Sequence, residues 1–138
     1  MGPKPIYCHH EQAAGFAAVG YARTAGFGAC IVTTGPGCTN ALTPLLGAWQ
    51  DSIPCLFISG QTRSQHTQNG SARKVRQIGT QEANIIDVVK PWTVFALECR
   101  IVNDLEHILQ GAYTMMTKER PGPAWISLPL DVQYATTS

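Results

Sequence analysis

Apolar residues recur along this chain with helical and strand-like patterns in alternation. From Glu11 onward, Ala14, Ala17, Ala18, Tyr21, Ala22 and Ala25 follow the i, i+3, i+4, i+7 spacing of a helix that buries one face. The spacing predicts a helix from Glu11 to about Thr24. Gly26 closes it, a residue suited to the left-handed position beyond a helix. Gly28 to Thr34 is a largely apolar run of strand length, the pattern of a parallel strand covered on both faces. Helical spacing returns at Leu42, Leu45, Leu46 and Trp49. Pro44 either sits in the first turn of a helix starting near Thr43 or kinks one that begins at Cys38. In both cases the Asn40 carbonyl loses its helical donor. Ile53 to Ser59 predicts a second strand.

Gly60 to Thr80 is polar. A structureless stretch of about twenty residues is uncommon in a compact domain and is usually functional or mobile. Ile85 to Val89 reads as a short helix and Trp92 to Leu97 as a strand. Asn103 with Glu106 three residues on is a capping-box signature. The helix it opens carries the stripe Leu105, Ile108, Leu109, Ala112, Tyr113 and Met116. After the turn Arg120-Pro121-Gly122-Pro123, Ala124 to Leu128 is a last strand. Lys4 to Cys8 is expected as a short strand leading into the first helix. Strands alternating with helices predict an α/β fold: a mostly parallel sheet between helical layers, a three-layer αβα arrangement. Ligands of such sheets lie beyond the carboxyl ends of the strands. Glu11, the turn Thr34-Gly35-Pro36-Gly37 and Ser59-Gly60-Gln61 are therefore expected to meet on one edge.

The chain has 138 residues, enough for one domain. With 44% hydrophobic and only 14% charged residues, it has material for a core and a sparingly charged surface. A net charge of +1 offers nothing to draw it to nucleic acid or an anionic membrane. Arg73, Lys74 and Arg76 form a short basic cluster, read as solvated surface. The five cysteines form no C-x-x-C pair, which argues for a reducing compartment. Cys30 and Cys55 lie in apolar runs and read as small buried hydrophobes. No secretory signal and no apolar run of about 20 residues is present. A cytoplasmic location is expected.

Glu11 extends the apolar stripe of the first helix. A carboxylate on a buried edge is costly without a partner or a task, although a lone Glu in a first turn ordinarily just favours the helix N-terminus. Gly35-x-Gly37-x-x-Asn40 lies close to a dinucleotide fingerprint. Asn40 replaces its third glycine, and no acidic residue follows about 20 positions later. A Rossmann site is disfavoured. His9 and His10 are adjacent, so they do not share a helix face, and no spaced third ligand follows; no metal site is expected. Cys38 near a helix start lacks a readable base and is assigned to packing.

Taken together, His10-Glu11-Gln12-Ala13-Ala14, Gly20-Tyr21-Ala22-Arg23, Val32-Thr33-Thr34-Gly35-Pro36-Gly37-Cys38-Thr39-Asn40, Asp51-Ser52-Ile53-Pro54, Ile58-Ser59-Gly60-Gln61, Gln81-Glu82 and Arg120-Pro121-Gly122-Pro123 resemble the pyrimidine-binding domain of thiamine-diphosphate enzymes. The acetolactate synthase branch is the most similar, from about Ile6 to Gln133. The resemblance implies a thiamine-diphosphate-binding fold over residues 1–138 as a single, partial domain. The family's opening strand and helix, its central domain and its diphosphate-binding domain have no counterpart here. It implies that Glu11 hydrogen-bonds N1′ of the cofactor's aminopyrimidine, with a pKa raised by desolvation so that it shares a proton. Thr34, Gly35, Pro36, Gly37 and Asn40 would flank the pyrimidine, and Gln81 would face substrate. Thr80 stands where an aromatic residue usually precedes that glutamine.

The reaction implied is condensation of 2-oxo acids, pyruvate giving 2-acetolactate with loss of carbon dioxide, in branched-chain amino acid biosynthesis. The cofactor is thiamine diphosphate. No Gly-Asp-Gly segment with a downstream Asn holds a magnesium diphosphate, so magnesium is expected only through an absent domain, and FAD is left open. The partner implied is a diphosphate-binding domain in a homo- or hetero-oligomer such as a dimer. Two other readings compete: a non-catalytic fragment that binds a related enzyme through the Ala/Gly-rich helix, and a stand-alone nucleotide module built on the Gly35-Gly37 turn.

Overall fold

The computed structural model describes residues 4–68, 72 and 75–136. Arg73 and Lys74 of the basic cluster, and Asn69, Gly70 and Ser71 of the polar stretch, lie outside the described residues. Residues 4–8 form no strand. Ile6 and Tyr7 are exposed, and Pro5 denies a ladder one N–H. The first helix, α1, spans Glu11–Ala25, with Gly26 left-handed at φ 83° beyond it. His10 opens it: its Nδ1 accepts from the Gln12 N–H at 3.1 Å, the ordinary way to satisfy a free donor in a first turn.

Strand β1 covers Gly28–Val32 and β2 covers Cys55–Gln61. Between them lie two helices rather than one, α2 at Pro36–Asn40 and α3 at Leu42–Gln50. The break falls where Pro44 cannot donate to the Asn40 carbonyl. Pro44 is the third residue of α3, in its first turn, as in the reading of a helix that starts near Thr43; no single helix runs on from Cys38. Then come α4 at Ile85–Val89, β3 at Phe95–Glu98, α5 at Leu105–Thr117, β4 at Ala124–Pro129 and α6 at Leu130–Gln133. The expected Asn103 cap is replaced: a 3-10 turn at Val102–Asp104 feeds directly into α5, with Asp104 at the N-cap.

All four strands are parallel, in the order β1-β2-β4-β3. Two apolar clusters cover the two faces. One joins Ala18, Val19, Cys30, Val32, Leu45, Phe57, Val89 and Trp125, under α1, α3 and α4. The other joins Leu56, Ala112, Met116, Ala124 and Ile126, under α5. This is the three-layer α/β arrangement expected. Phe57 stacks on Trp125 with centroids 5.4 Å apart and planes 3° from parallel. The Trp125 Nε1–H donates to the buried Ser59 Oγ at 3.0 Å, so the indole's one donor is satisfied inside the core. The second face is incomplete over β1, where Ile31 is 75% exposed.

Candidate functional site

The carboxyl ends of β1 and β2 do bring three loops together. The turn after β1 is the centre. Gly35 has φ 57° and ψ −111°, a backbone region that only glycine enters without strain. A Cβ there would lie 2.2 Å from the Gln81 carbonyl oxygen. On the other side of the turn, a Cβ at Gly37 would lie 3.5 Å from Glu11 Oε1. Glycine at 35 thus lets the Gln81 backbone approach the turn, glycine at 37 makes room for Thr33, whose Cγ2 would lie 2.7 Å from a Cβ, and the Glu11 carboxylate stands in contact on that second side.

Glu11 is partly exposed at the first position of α1. Its Oε2 accepts from Asn40 Nδ2 at 3.1 Å. That hydrogen bond, together with the N-terminal backbone of α1 and the neighbouring His10, holds the carboxyl below its ordinary pKa and outweighs a small desolvation effect. The expected rise is therefore corrected. The carboxylate has an amide donor and open solvent, and both favour the charged form. Asn40 was expected to flank a ligand; here its amide serves Glu11. Pro36 starts α2 and is exposed. The Thr34 hydroxyl donates to Gln61 Oε1 at 3.0 Å and lies 3.4 Å from the Gln81 carbonyl oxygen. Gln81 itself is exposed with φ 57°, and its backbone rather than its side chain makes these contacts.

Two side chains that sequence reasoning named only within motifs hold the loop after β2. Gln61 is buried at 5% exposure. Its Oε1 accepts from Thr34 and from the Thr62 N–H at 3.0 Å, and its Nε2 donates to the Ala83 carbonyl at 2.7 Å. Both Glu82 oxygens accept backbone N–H groups, from Gln68 and, at 2.8 Å, from Ile78. A polar side chain ending an apolar strand was the available signal for Gln61. Nothing local marked Glu82. A cleft of about 660 Å³ opens beside Gln61, with a floor of Ile31, Ile58 and Leu128 and with Arg63 and His66 on its wall. Glu11 does not line it. The carboxylate, the paired amide and the glycine turn define the candidate site better than the size of this cleft does.

The buried thiols are not reactive centres. Burial pushes Cys30 up to about 11 and Cys55 up to about 12, and it raises Cys38 as well. Among the described residues no group of three His, Cys, Asp or Glu is placed to hold a metal ion. Among them, too, no helix is long and apolar enough to cross a membrane.

A family model described as "Thiamine pyrophosphate enzyme, N-terminal TPP binding domain" matches residues 2–87. The chain belongs to this family. Within the thiamine pyrophosphate enzymes its curated relatives are acetolactate synthases. It is 35% identical over 98% of its length to "Acetolactate synthase isozyme 2 large subunit" of Escherichia coli, covering 23% of that protein. It is 38% identical over 94% of its length to "Acetolactate synthase large subunit" of Corynebacterium glutamicum, covering 20% of that protein. Against "Acetolactate synthase 3, chloroplastic" of Brassica napus it is 39% identical over 90% of its length, covering 18% of that protein. The chain thus spans about a fifth of the length of the thiamine pyrophosphate enzymes it matches.

Proposed function

We propose that residues 1–138 form a single pyrimidine-binding domain that supplies one wall of a thiamine diphosphate site in an acetolactate-synthase-like enzyme. One observation carries the reading: the Glu11 carboxylate, paired with Asn40, stands over the glycine turn at the carboxyl edge of the sheet. The residues fit the aminopyrimidine end of the cofactor. Glu11 Oε1 lies beside Gly37, and a carboxylate suits a ring nitrogen that gains a proton. The diphosphate end of the cofactor, with its magnesium, is assigned in this reading to a diphosphate-binding domain beyond residues 1–138. A partner bearing a diphosphate-binding domain is the complement this wall needs.

When bound, thiamine diphosphate supplies the nucleophilic carbon that attacks the keto group of a 2-oxo acid such as pyruvate. The chain's part is placement and proton control. Glu11 holds or shares a proton at Oε1, while Asn40 fixes the orientation of Oε2. Gly35 and Gly37 let the ring approach the backbone, with Thr34 and Pro36 at its border. Gln81, on the neighbouring loop, faces the substrate. A partner that excludes water would remove the solvent that now favours the anion, raise the Glu11 pKa and bring it toward proton exchange. A branched-chain biosynthetic role in the cytoplasm goes with this reading.

The test is reconstitution with a diphosphate-domain partner and an assay for acetolactate. Glu11→Gln keeps the shape and loses the proton acceptor, and the rate should fall by about 10²–10⁴-fold. Full activity in that variant would sink the mechanism. A second reading rests on the outward face of α1, where Phe16 and Tyr21 are 50% and 63% exposed. A fragment that binds a related enzyme without catalysis would use this face. Co-elution with the partner, without thiamine-dependent turnover, would favour it.

A further inference from the structure

The loop after β2 crosses from Gln61 to α4 and carries Gln81. Among its described residues, hydrogen bonds converge on two side chains, Gln61 and Glu82. Gln61 spends all three on fixed groups: Thr34 on the β1 turn, its own neighbour Thr62, and Ala83 at the far end of the loop. Thr34 in turn touches Gln81. Glu82 folds the middle of the loop by accepting from Ile78 and Gln68. Gly79 packs so closely on Thr62 that a Cβ would lie 2.7 Å from its hydroxyl oxygen. The Thr34 turn also leads directly to Gly37 and Asn40, which meet Glu11. Gln61 is therefore a buried side chain that bonds to both the turn beneath Glu11 and the loop of Gln81.

We propose that Gln61 is a positioning residue that keys the Gln81 loop to the Thr34–Gly35 turn, so that the substrate-side glutamine and the Glu11 wall are held as one unit. The inference rests on the reading of Gln81 as substrate-facing. The geometry of the keying is independent of it. A buried amide that donates once and accepts twice cannot be replaced by an apolar side chain without leaving Ala83 and Thr34 to find new partners.

Two variants of the full chain test this by hydrogen exchange and mass spectrometry. Gln61→Met has similar bulk and no hydrogen bonds. Peptides covering 77–84 should exchange at least tenfold faster than wild type, while those from α1 and β4 stay within twofold. Gln61→Glu adds a pH readout. A neutral carboxylic acid donates to the Ala83 carbonyl as the amide does, whereas a carboxylate cannot donate and repels that oxygen. Protection of 77–84 should match wild type at low pH and be lost as the new carboxyl ionises. The ratio to wild type at each pH cancels the titration of His66, Glu82 and Asp131 near the loop and the fixed charge of Arg63, which both proteins share. Unchanged exchange in Gln61→Met, an equal increase across the whole sheet, or a pH-independent ratio in Gln61→Glu would each overturn the proposal. In the reconstituted enzyme, the 2-oxo acid KM should rise about tenfold in Gln61→Met while thiamine diphosphate half-saturation stays within twofold; equal rises would overturn it too. If the wild-type assembly makes no acetolactate, the functional reading falls, and the exchange arms still decide the keying.

Discussion

At Glu11, one amide is the largest of the influences that hold the carboxyl below its ordinary pKa. Asn40 Nδ2 lies 3.1 Å from Oε2, and this bond is the leading cause of the lowered pKa. A carboxyl whose folded value is depressed adds stability above its unfolded titration range. That stability is lost as pH falls through the lower, folded value. Asn40→Leu removes the donor and keeps the bulk. The Glu11 titration should then move up toward the ordinary glutamate range, and acid unfolding should begin at a slightly higher pH. Carbon-detected NMR of the Glu11 carboxyl reads this directly; an unmoved titration would show that Asn40 is not the controlling partner. The same contact corrects the sequence reading, in which burial alone set the pKa. The pattern placed Glu11 and the Thr34–Gly37 turn on one edge of the sheet and the family resemblance set Asn40 beside the ring, but whether an amide or a ring would occupy that carboxylate depends on side-chain directions that no periodicity encodes.

At the level of elements, α1 shows what periodicity can and cannot give. Its length and its Gly26 stop were legible. Its phase was only partly so: Gly15, Ala18, Val19 and Ala22 are buried, while Ala17, Tyr21 and Ala25 face outward. Alanines on every side make the apolar stripe shallow, so neighbours rather than hydrophobicity choose the buried face. Gly15 is the decisive neighbour. A Cβ there would lie 2.4 Å from Pro44 Cγ on α3 and 3.4 Å from the Phe57 ring. Replacing an exposed helical glycine by alanine ordinarily gains about 1 kcal/mol. Here the stiff proline ring opposes the methyl, and overpacking costs about 1–3 kcal/mol. Gly15→Ala should therefore be neutral to destabilising by up to about 2 kcal/mol in urea unfolding; a clear gain in stability would mean that α1 can lift off α3 freely. Four of the five expected strands were readable because apolar runs bounded by glycine and proline are strong signals; the run at Lys4–Cys8 forms none, β1 stops at Val32 rather than Thr34, and β2 runs two residues past its expected end at Ser59. The hydrogen bonding among the described residues between 61 and 84 was not readable. Gln61 and Glu82 fold this stretch through hydrogen bonds to residues up to 27 positions away, and polar composition alone looks the same in a fixed loop and a mobile one.

For the whole molecule, the surfaces left over are as informative as the core. The sheet is covered on the α1 side, yet β1 shows Ile31 bare on the other. The outer face of α1 carries Ala13, Phe16, Ala17, Gly20 and Tyr21, with no charged residue between Glu11 and Arg23. A solvent-facing helix normally gathers charge on that side, and an uncharged, aromatic face suits an interface core. Glu11 lies on the other side of the helix, in line with Gly15, Ala18 and Ala22, so a chain docked on this outer face would leave the carboxylate to whatever covers the sheet edge. Gly20 offers a clean probe, because a Cβ at this position meets nothing within 4 Å in the single chain. Gly20→Glu should leave the monomer folded, and its helix propensity should improve by a few tenths of a kcal/mol or more. It places a charge in the middle of the proposed contact, where burial without a partner is strongly unfavourable. Sedimentation equilibrium should show self-association, or association with a diphosphate-domain partner, weakened at least tenfold, with thermal unfolding of the dilute chain no lower than wild type. If association is unchanged, the outer face of α1 is not the contact, and the bare side of β1 becomes the surface on which the missing wall must sit.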